Sequence, residues 1–229
     1  MSLRPAGAHA LSIGSMQLRK TTLQEHVYEQ LAELILNGEI APGQLVTIQA
    51  LSDAFGVSAM PIREALKKMV GANALTVIAS RSIGIPKLTA ERLADLTRVR
   101  LEIEGAAAEW AAARVTPEEI DRLERLLAEM LKAARSSDVK GFLRSNREFH
   151  FTVYRAAGSD TAYGIIEKLW LQVAPYFHHL YALDNYRKAN TEHKAIVSAL
   201  KSGDAEAARE GIRADIETGS KLLVAMLSQ

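Results

Sequence analysis

Leu51-Ser52-Asp53-Ala54-Phe55-Gly56-Val57-Ser58 runs straight into Ala59-Met60-Pro61-Ile62-Arg63-Glu64-Ala65-Leu66. This stretch holds parts of two short helical segments. The first, Gln49 to Phe55, carries Leu51, Ala54 and Phe55 inward, and Gly56-Val57-Ser58 breaks it tightly. Ser58 then precedes a second segment, Met60 to Val70, with Pro61 in its first turn, where a missing N–H costs little. Ile62, Leu66, Met69 and Val70 form its apolar side. Upstream, Leu23, Val27, Leu31, Leu34 and Ile35 recur at helical spacing from about Thr22, the mark of one buried face. Asn37-Gly38 can close that helix with a left-handed cap, and Ala41-Pro42-Gly43 is a turn. Downstream, Leu75-Thr76-Val77-Ile78 is β-prone, Ala79 to Ser82 reads as a turn, and Ile83 to Ile85 as a return strand. A helix, a helix-turn-helix and a small hairpin make a winged helix.

From Thr89 onward every segment reads as helix: 89–114, 117–135, 138–157, 160–183, 187–202 and 204–227. Thr116 and Glu119 have capping-box spacing. Gly158-Ser159-Asp160 and Ser202-Gly203-Asp204 are stop–start punctuation. The expected fold is mainly α, an N-terminal winged helix-turn-helix followed by an all-helical antiparallel bundle. Residues 1–20, mixed in Gly, Ala, Ser and Pro without periodicity, read as a flexible leader. The DNA-binding domain is expected over 21–86, the linker over Ile85 to Leu88, and the bundle over 89–229.

Composition narrows the class. The chain has 229 residues, 48% hydrophobic and 24% charged, with net charge +1, as in a soluble globular protein. It contains no cysteine, which excludes disulfides, thiolate metal sites and a cysteine nucleophile. No apolar run approaches the roughly 18 residues of a membrane span, and the expected location is cytoplasmic. Between Ala59 and Lys87 five basic side chains (Arg63, Lys67, Lys68, Arg81, Lys87) face the single acid Glu64. Such a patch suits phosphate contact, although an ordinary solvated helix face carries similar charge.

On the turn and the Pro-Ile-Arg-Glu-Ala-Leu run, the sequence resembles the GntR family of bacterial transcription regulators. Pro61, Arg63, Glu64, Ala65 and Leu66 match the family's recognition helix, and Ile62 stands for Val. Two residues depart: the family's Arg-Thr before the proline is Ala59-Met60 here. The resemblance implies double-stranded operator DNA as partner, a homodimer, and contacts from Ser58, Arg63, Lys67 and Arg81. A helix N-terminus binds phosphate, an arginine forks onto guanine, and a wing tip reaches phosphate or the minor groove. One cation and one hydroxyl are lost at Ala59-Met60, and apolar contact with a thymine methyl partly substitutes. Arg63 paired with Glu64 or Glu39 is the plainer alternative.

The helical half resembles the FCD effector domain of the FadR subfamily. Asn146 and His150 are four apart on one helix face, near Phe142, Phe149 and Val153. Read alone, His150 is a hydrogen-bonded core histidine and Asp215 a solvated charge beside Arg213 or Lys221. The resemblance implies a divalent metal held by an Asp-x3-His pair and two further histidines. Here those positions are Asn146, His150, His193 and Asp215. The anionic oxygen has moved between helices while the set keeps its charge of −1, and zinc, manganese or iron suits it. The resemblance also implies a small carboxylate effector, with Arg100 as its cation and His179 among the candidates on the 160–183 helix. A salt bridge from Arg100 to Glu104, one turn on, is an equal alternative. The expected function is a ligand-responsive transcription regulator. A metal-dependent enzyme in a helical bundle is the competing reading, although no motif such as His-Glu-x-x-His occurs.

Overall fold

The computed structural model describes residues 22–79, 82–182 and 186–227, excluding the side chains of 79 and 179–189. The leader, Arg81 and the side chain of His179 lie outside the described residues.

The first helix, α1 (Leu23–Leu36), opens on a capping box between Thr22 and Glu25 and buries Val27, Leu31, Ala32, Ile35 and Leu36. A short strand, β1 (Leu45–Thr47), follows. It was not foreseen: its three residues are too few to show an alternation. Thr47 caps α2 (Ile48–Phe55), accepting from the Ala50 N–H. Gly56 ends that helix at φ 65°, a conformation that glycine adopts without penalty. Leu51 is buried and Phe55 partly buried, but Ala54 is exposed, contrary to expectation. α3 (Ala59–Gly71) packs Ile62, Ala65, Leu66 and Met69 against α1. The hairpin is β2 (Thr76–Ala79) and β3 (Ser82–Gly84). β3 lies between β1 and β2, antiparallel to both, with Ile83 opposite Val46 and Val77. The wing is therefore a three-stranded sheet.

The remaining helices are α4 (Ala90–Ala112), α5 (Pro117–Arg135), α6 (Val139–Ala156), α7 (Asp160–Ala182), α8 (Tyr186–Ser202) and α9 (Ala205–Leu227). Each lies within two residues of its expected span. The Thr116–Glu119 capping box forms, with Pro117 in the first turn of α5. α4 packs against α6, α7, α8 and α9, so side chains on its inner face reach the centre of the bundle.

α1 packs against α7, and two polar contacts fasten the halves further. The Tyr176 hydroxyl of α7 donates to the Pro86 carbonyl (2.5 Å) and accepts from the Leu88 N–H (2.9 Å), gripping the linker. Arg147 of α6, nearly buried, pairs with Glu33 of α1 at 2.8 Å.

Candidate functional site

Three helices bring one polar cluster together. His150 comes from α6, His193 from α8 and Asp215 from α9. The Nε2 atoms of the two histidines are 3.1 Å apart. Asp215 lies 3.4 Å from His150 Nε2 and 3.6 Å from His193 Nε2. One donor atom from each residue falls within 4.8 Å of the others. Asn146 is buried one turn before His150, but no hydrogen bond joins it to the three.

A second layer orients His150. Glu104 on α4, fully buried, accepts from Arg100 Nε (2.6 Å), the Tyr154 hydroxyl (2.5 Å) and Trp170 Nε1 (3.0 Å). The single Tyr154 proton is thereby committed to Glu104. The Tyr154 oxygen, 3.2 Å from His150 Nδ1, then accepts from that ring nitrogen. His150 carries its proton on Nδ1 and presents a bare Nε2 to the cluster. This is the outer partner that a metal-ligating imidazole ordinarily has.

Burial sets the protonation of the cluster. Burial pushes the Asp215 carboxyl up to about 7, with Arg100 opposing the shift and Glu192 and Glu104 adding to it. Burial holds His193 down at about 3. His150 is lowered as well, by burial and then by His193 and Arg100. Both imidazoles are neutral at pH 7, and the buried Nδ1 of His193 has no hydrogen-bond partner among the described residues. Nitrogen and oxygen donors from the three residues converge here. Two imidazoles and a carboxylate are a donor set that fits zinc, manganese or iron.

Arg100 is buried, and its guanidinium lies over Trp170 and Phe177. Burial disfavours its charge, but the Glu104 carboxylate outweighs that and raises its pKa. The Arg100–Glu104 bridge therefore forms, as a buried pair.

The residues expected to read DNA are arranged differently. Ser58 is the exposed N-cap of α3 and makes no capping hydrogen bond with its side chain. Arg63 is exposed and pairs with neither Glu64 nor Glu39. It is Lys67 that pairs with Glu64, at 2.7 Å. Met60 is 66% exposed at the start of the helix.

The comparisons match both halves. Residues 23–85 fit the family of bacterial regulatory proteins named gntR. Residues 95–218, which contain His150, His193 and Asp215, fit the FCD domain. The chain belongs to the GntR family and carries an FCD domain. It is similar to the HTH-type transcriptional regulator McbR of Escherichia coli K12, 28% identical over 199 residues (86% of this chain, 90% of that one). It is also similar to the transcriptional repressor RspR of the same organism, 25% identical over 189 residues (81% and 82%). The solved structure of E. coli McbR/YncC aligns with a TM-score of 0.83 at 26% identity, covering 90% of this chain and 99% of that one. A metal-free FCD domain shares the bundle fold, with TM-score 0.52 at 20% identity over 62% of this chain and 99% of that one. This GntR chain is a transcription regulator, and the reading as a metal-dependent enzyme is set aside. Among the described residues no helix is long and apolar enough to cross a membrane.

Sequence reading did not single out Tyr154 and Trp170, and saw Glu104 as a helix-surface partner of Arg100 or as an acid–base group for the competing enzyme reading. Tyr154 stands four residues after His150, so its position on the same face was available as a signal. Trp170 comes from another helix and left none.

Proposed function

We propose that this regulator is ligand-responsive: residues 21–86 read an operator as one half of a homodimer, and residues 89–229 sense a small carboxylate. The observation that carries this reading is the buried cluster of His150, His193 and Asp215 next to Arg100. His150, His193 and Asp215 would hold a divalent metal, with the Asn146 carbonyl as a weak fourth donor. A metal bound there supplies positive charge that attracts a carboxylate. Arg100 supplies a second cation within the same core. Glu104 holds the Arg100 fork, and through Tyr154 it fixes the His150 tautomer.

On the DNA side, Arg63 is a free cation on the second turn of α3, suited to a guanine edge or a phosphate. Ser58 and the first N–H groups of α3 suit a phosphate, and Met60 suits a thymine methyl. Lys67 meets phosphate once it leaves Glu64. A carboxylate that shifts the Arg100–Glu104–Trp170 group moves α7 and so the linker held by Tyr176. Calorimetric titration of metal-stripped protein with zinc, then with a panel of small mono- and dicarboxylates, tests the reading. Zinc uptake, with carboxylate binding that weakens in Arg100→Lys, is the expected result. Equal carboxylate binding in both proteins would leave Arg100 as a structural ion pair only.

A further inference from the structure

We infer that the cleft between the winged helix and the bundle binds an organic anion, an apolar ring-sized body with a carboxylate or phosphate head. The cleft encloses about 410 Å³, within the roughly 300–1,000 Å³ of ordinary small-molecule sites, which favour domain interfaces. Each part of the chain supplies a wall. Leu75 and Thr76 come from the winged helix, Lys87 and Leu88 from the linker, and Arg92 and Leu96 from α4. No lining residue belongs to the cluster of His150, His193 and Asp215 or to the Glu104 hub, so this site is separate from the carboxylate pocket proposed above.

The floor is apolar and the rim is cationic. Leu75, Leu88 and Leu96 are buried, whereas Lys87 and Arg92 are exposed. Among the described residues no acid lines the cleft. Lys87 makes no ion pair with a described residue, yet its backbone is held on both sides, because the Tyr176 hydroxyl donates to the Pro86 carbonyl and accepts from the Leu88 N–H. Arg92 is aimed by Asp95 and by the Gln172 amide oxygen, each at 2.9 Å. Asp95 divides its charge with Arg98, so this group stays cationic. The Arg92 guanidinium keeps further N–H donors for an incoming head group, and a guanidinium fork suits carboxylate and phosphate alike. A merely solvated cation needs neither a clamped backbone nor a buried apolar floor beside it. An occupant touches both halves and the linker at once, so its affinity is linked to their arrangement.

Anilinonaphthalene sulfonate, an aromatic anion that fluoresces on leaving water, is the probe. It is titrated into the metal-stripped full chain, with phenylacetate, phenyl phosphate, inorganic phosphate and benzyl alcohol as competitors. Wild type is expected to show saturable single-site binding. K87E and R92Q, both at exposed positions, are expected to weaken it about tenfold, as loss of one charge-assisted hydrogen bond does, with circular dichroism unchanged. Phenylacetate and phenyl phosphate are expected to displace the probe, and the tighter of the two names the head group. No probe binding, or wild-type affinity in both variants, would overturn the site. Displacement by benzyl alcohol as strong as that by phenylacetate would remove the anion. Displacement by inorganic phosphate as strong as that by phenyl phosphate would remove the apolar body. The pocket proposed in the bundle draws its carboxylate with zinc, whereas cleft affinity is expected to be the same with and without zinc. A probe affinity that follows zinc loading would place the probe in the bundle and overturn the cleft, while zinc-independent binding stands even if the bundle takes no carboxylate.

Discussion

The α3 face and the centre of the bundle solve opposite problems. On α3 the side chains proposed to read DNA are exposed, and Arg63 pairs with no carboxylate among the described residues. Replacing one strands no buried partner, so the two departures at Ala59 and Met60 cost the fold little. At the centre of the bundle Glu104 is wholly buried and holds donors from α4, α6 and α7 at once. No member can change without leaving another unsatisfied, and such groups are costly when orphaned. Asn146 and Asp215 differ from the family pattern together, and the charge of the set is unchanged.

That contrast makes five graded predictions. The largest effect belongs to Glu104→Ala, which leaves the Arg100 charge buried and unpaired. Breaking such a pair costs about 3–5 kcal/mol, read as a lower midpoint in urea unfolding. Glu104→Gln keeps an acceptor oxygen and is expected to lose less. A wild-type midpoint for Glu104→Ala would break the comparison outright.

Next comes Asp215→Asn, which makes the donor set neutral. Zinc affinity is expected to fall at least about 100-fold, the upper end of what loss of a mere outer-shell partner produces. Elemental analysis after purification without a nickel column reads this. Asn146→Ala is expected to do less, because water replaces a neutral carbonyl. Zinc retained in full by Asp215→Asn would remove the carboxylate from the site.

Arg63→Ala sits in the middle, at about 1–3 kcal/mol of operator binding with relaxed discrimination at one base. Its unfolding midpoint is expected to stay at the wild-type value, the sharpest difference from Glu104→Ala. Unchanged operator affinity would displace α3 as the reading helix.

The pH effect is smaller. Below about pH 7 the metal-free Asp215 carboxyl holds a proton that must leave when metal binds, whereas His193, held near 3, holds none. Zinc affinity is therefore expected to drop about tenfold per pH unit below 7, one proton being displaced. A slope of two or more would mean that a histidine is also protonated. For the metal-free fold the same shift has its own sign. Asp215 is raised from an ordinary 3.8, so its contribution to stability is complete below that value and is lost as pH rises through about 7.

Lys67→Ala closes the series. Its ion pair with Glu64 is exposed, and such pairs contribute about 0–1 kcal/mol to stability. Operator binding is expected to weaken evenly across sequences, with the salt slope reduced by about 1. A base-specific effect would shift reading from Arg63 toward Lys67.

Much of the architecture was legible because local signals carry it. The Thr116–Glu119 box, Pro117 and the heptad-like spacing of Val27, Leu31 and Ile35 each act within one or two turns. β1 was not legible, because a three-residue edge strand owes its existence to β3, nearly forty residues away. The metal candidates were visible through the family pattern. Spacing alone placed only Asn146 and His150 on one face. The Glu104 hub was hidden because its donors come from three helices, and only packing joins them. Its partner Arg100 was legible in two roles, and burial is what distinguishes this bridge from a surface pair worth a few tenths of a kcal/mol.

The double attachment of the winged helix has a mechanical consequence. A body held at a single joint swings over a continuum of angles. Here Tyr176 fixes the linker and Arg147 fixes α1, so the DNA-reading half rests on two feet planted on adjacent helices. Lifting one takes Glu33 from Arg147, which keeps Glu148, or takes the Tyr176 hydroxyl from the Leu88 amide. Arg147 directly follows Asn146, so the foot on α6 begins one residue from the candidate metal ligands. Tyr176 sits six residues beyond Trp170, and the foot on α7 shares its helix with the Glu104 hub. Both attachments thus share their helices with the buried cluster.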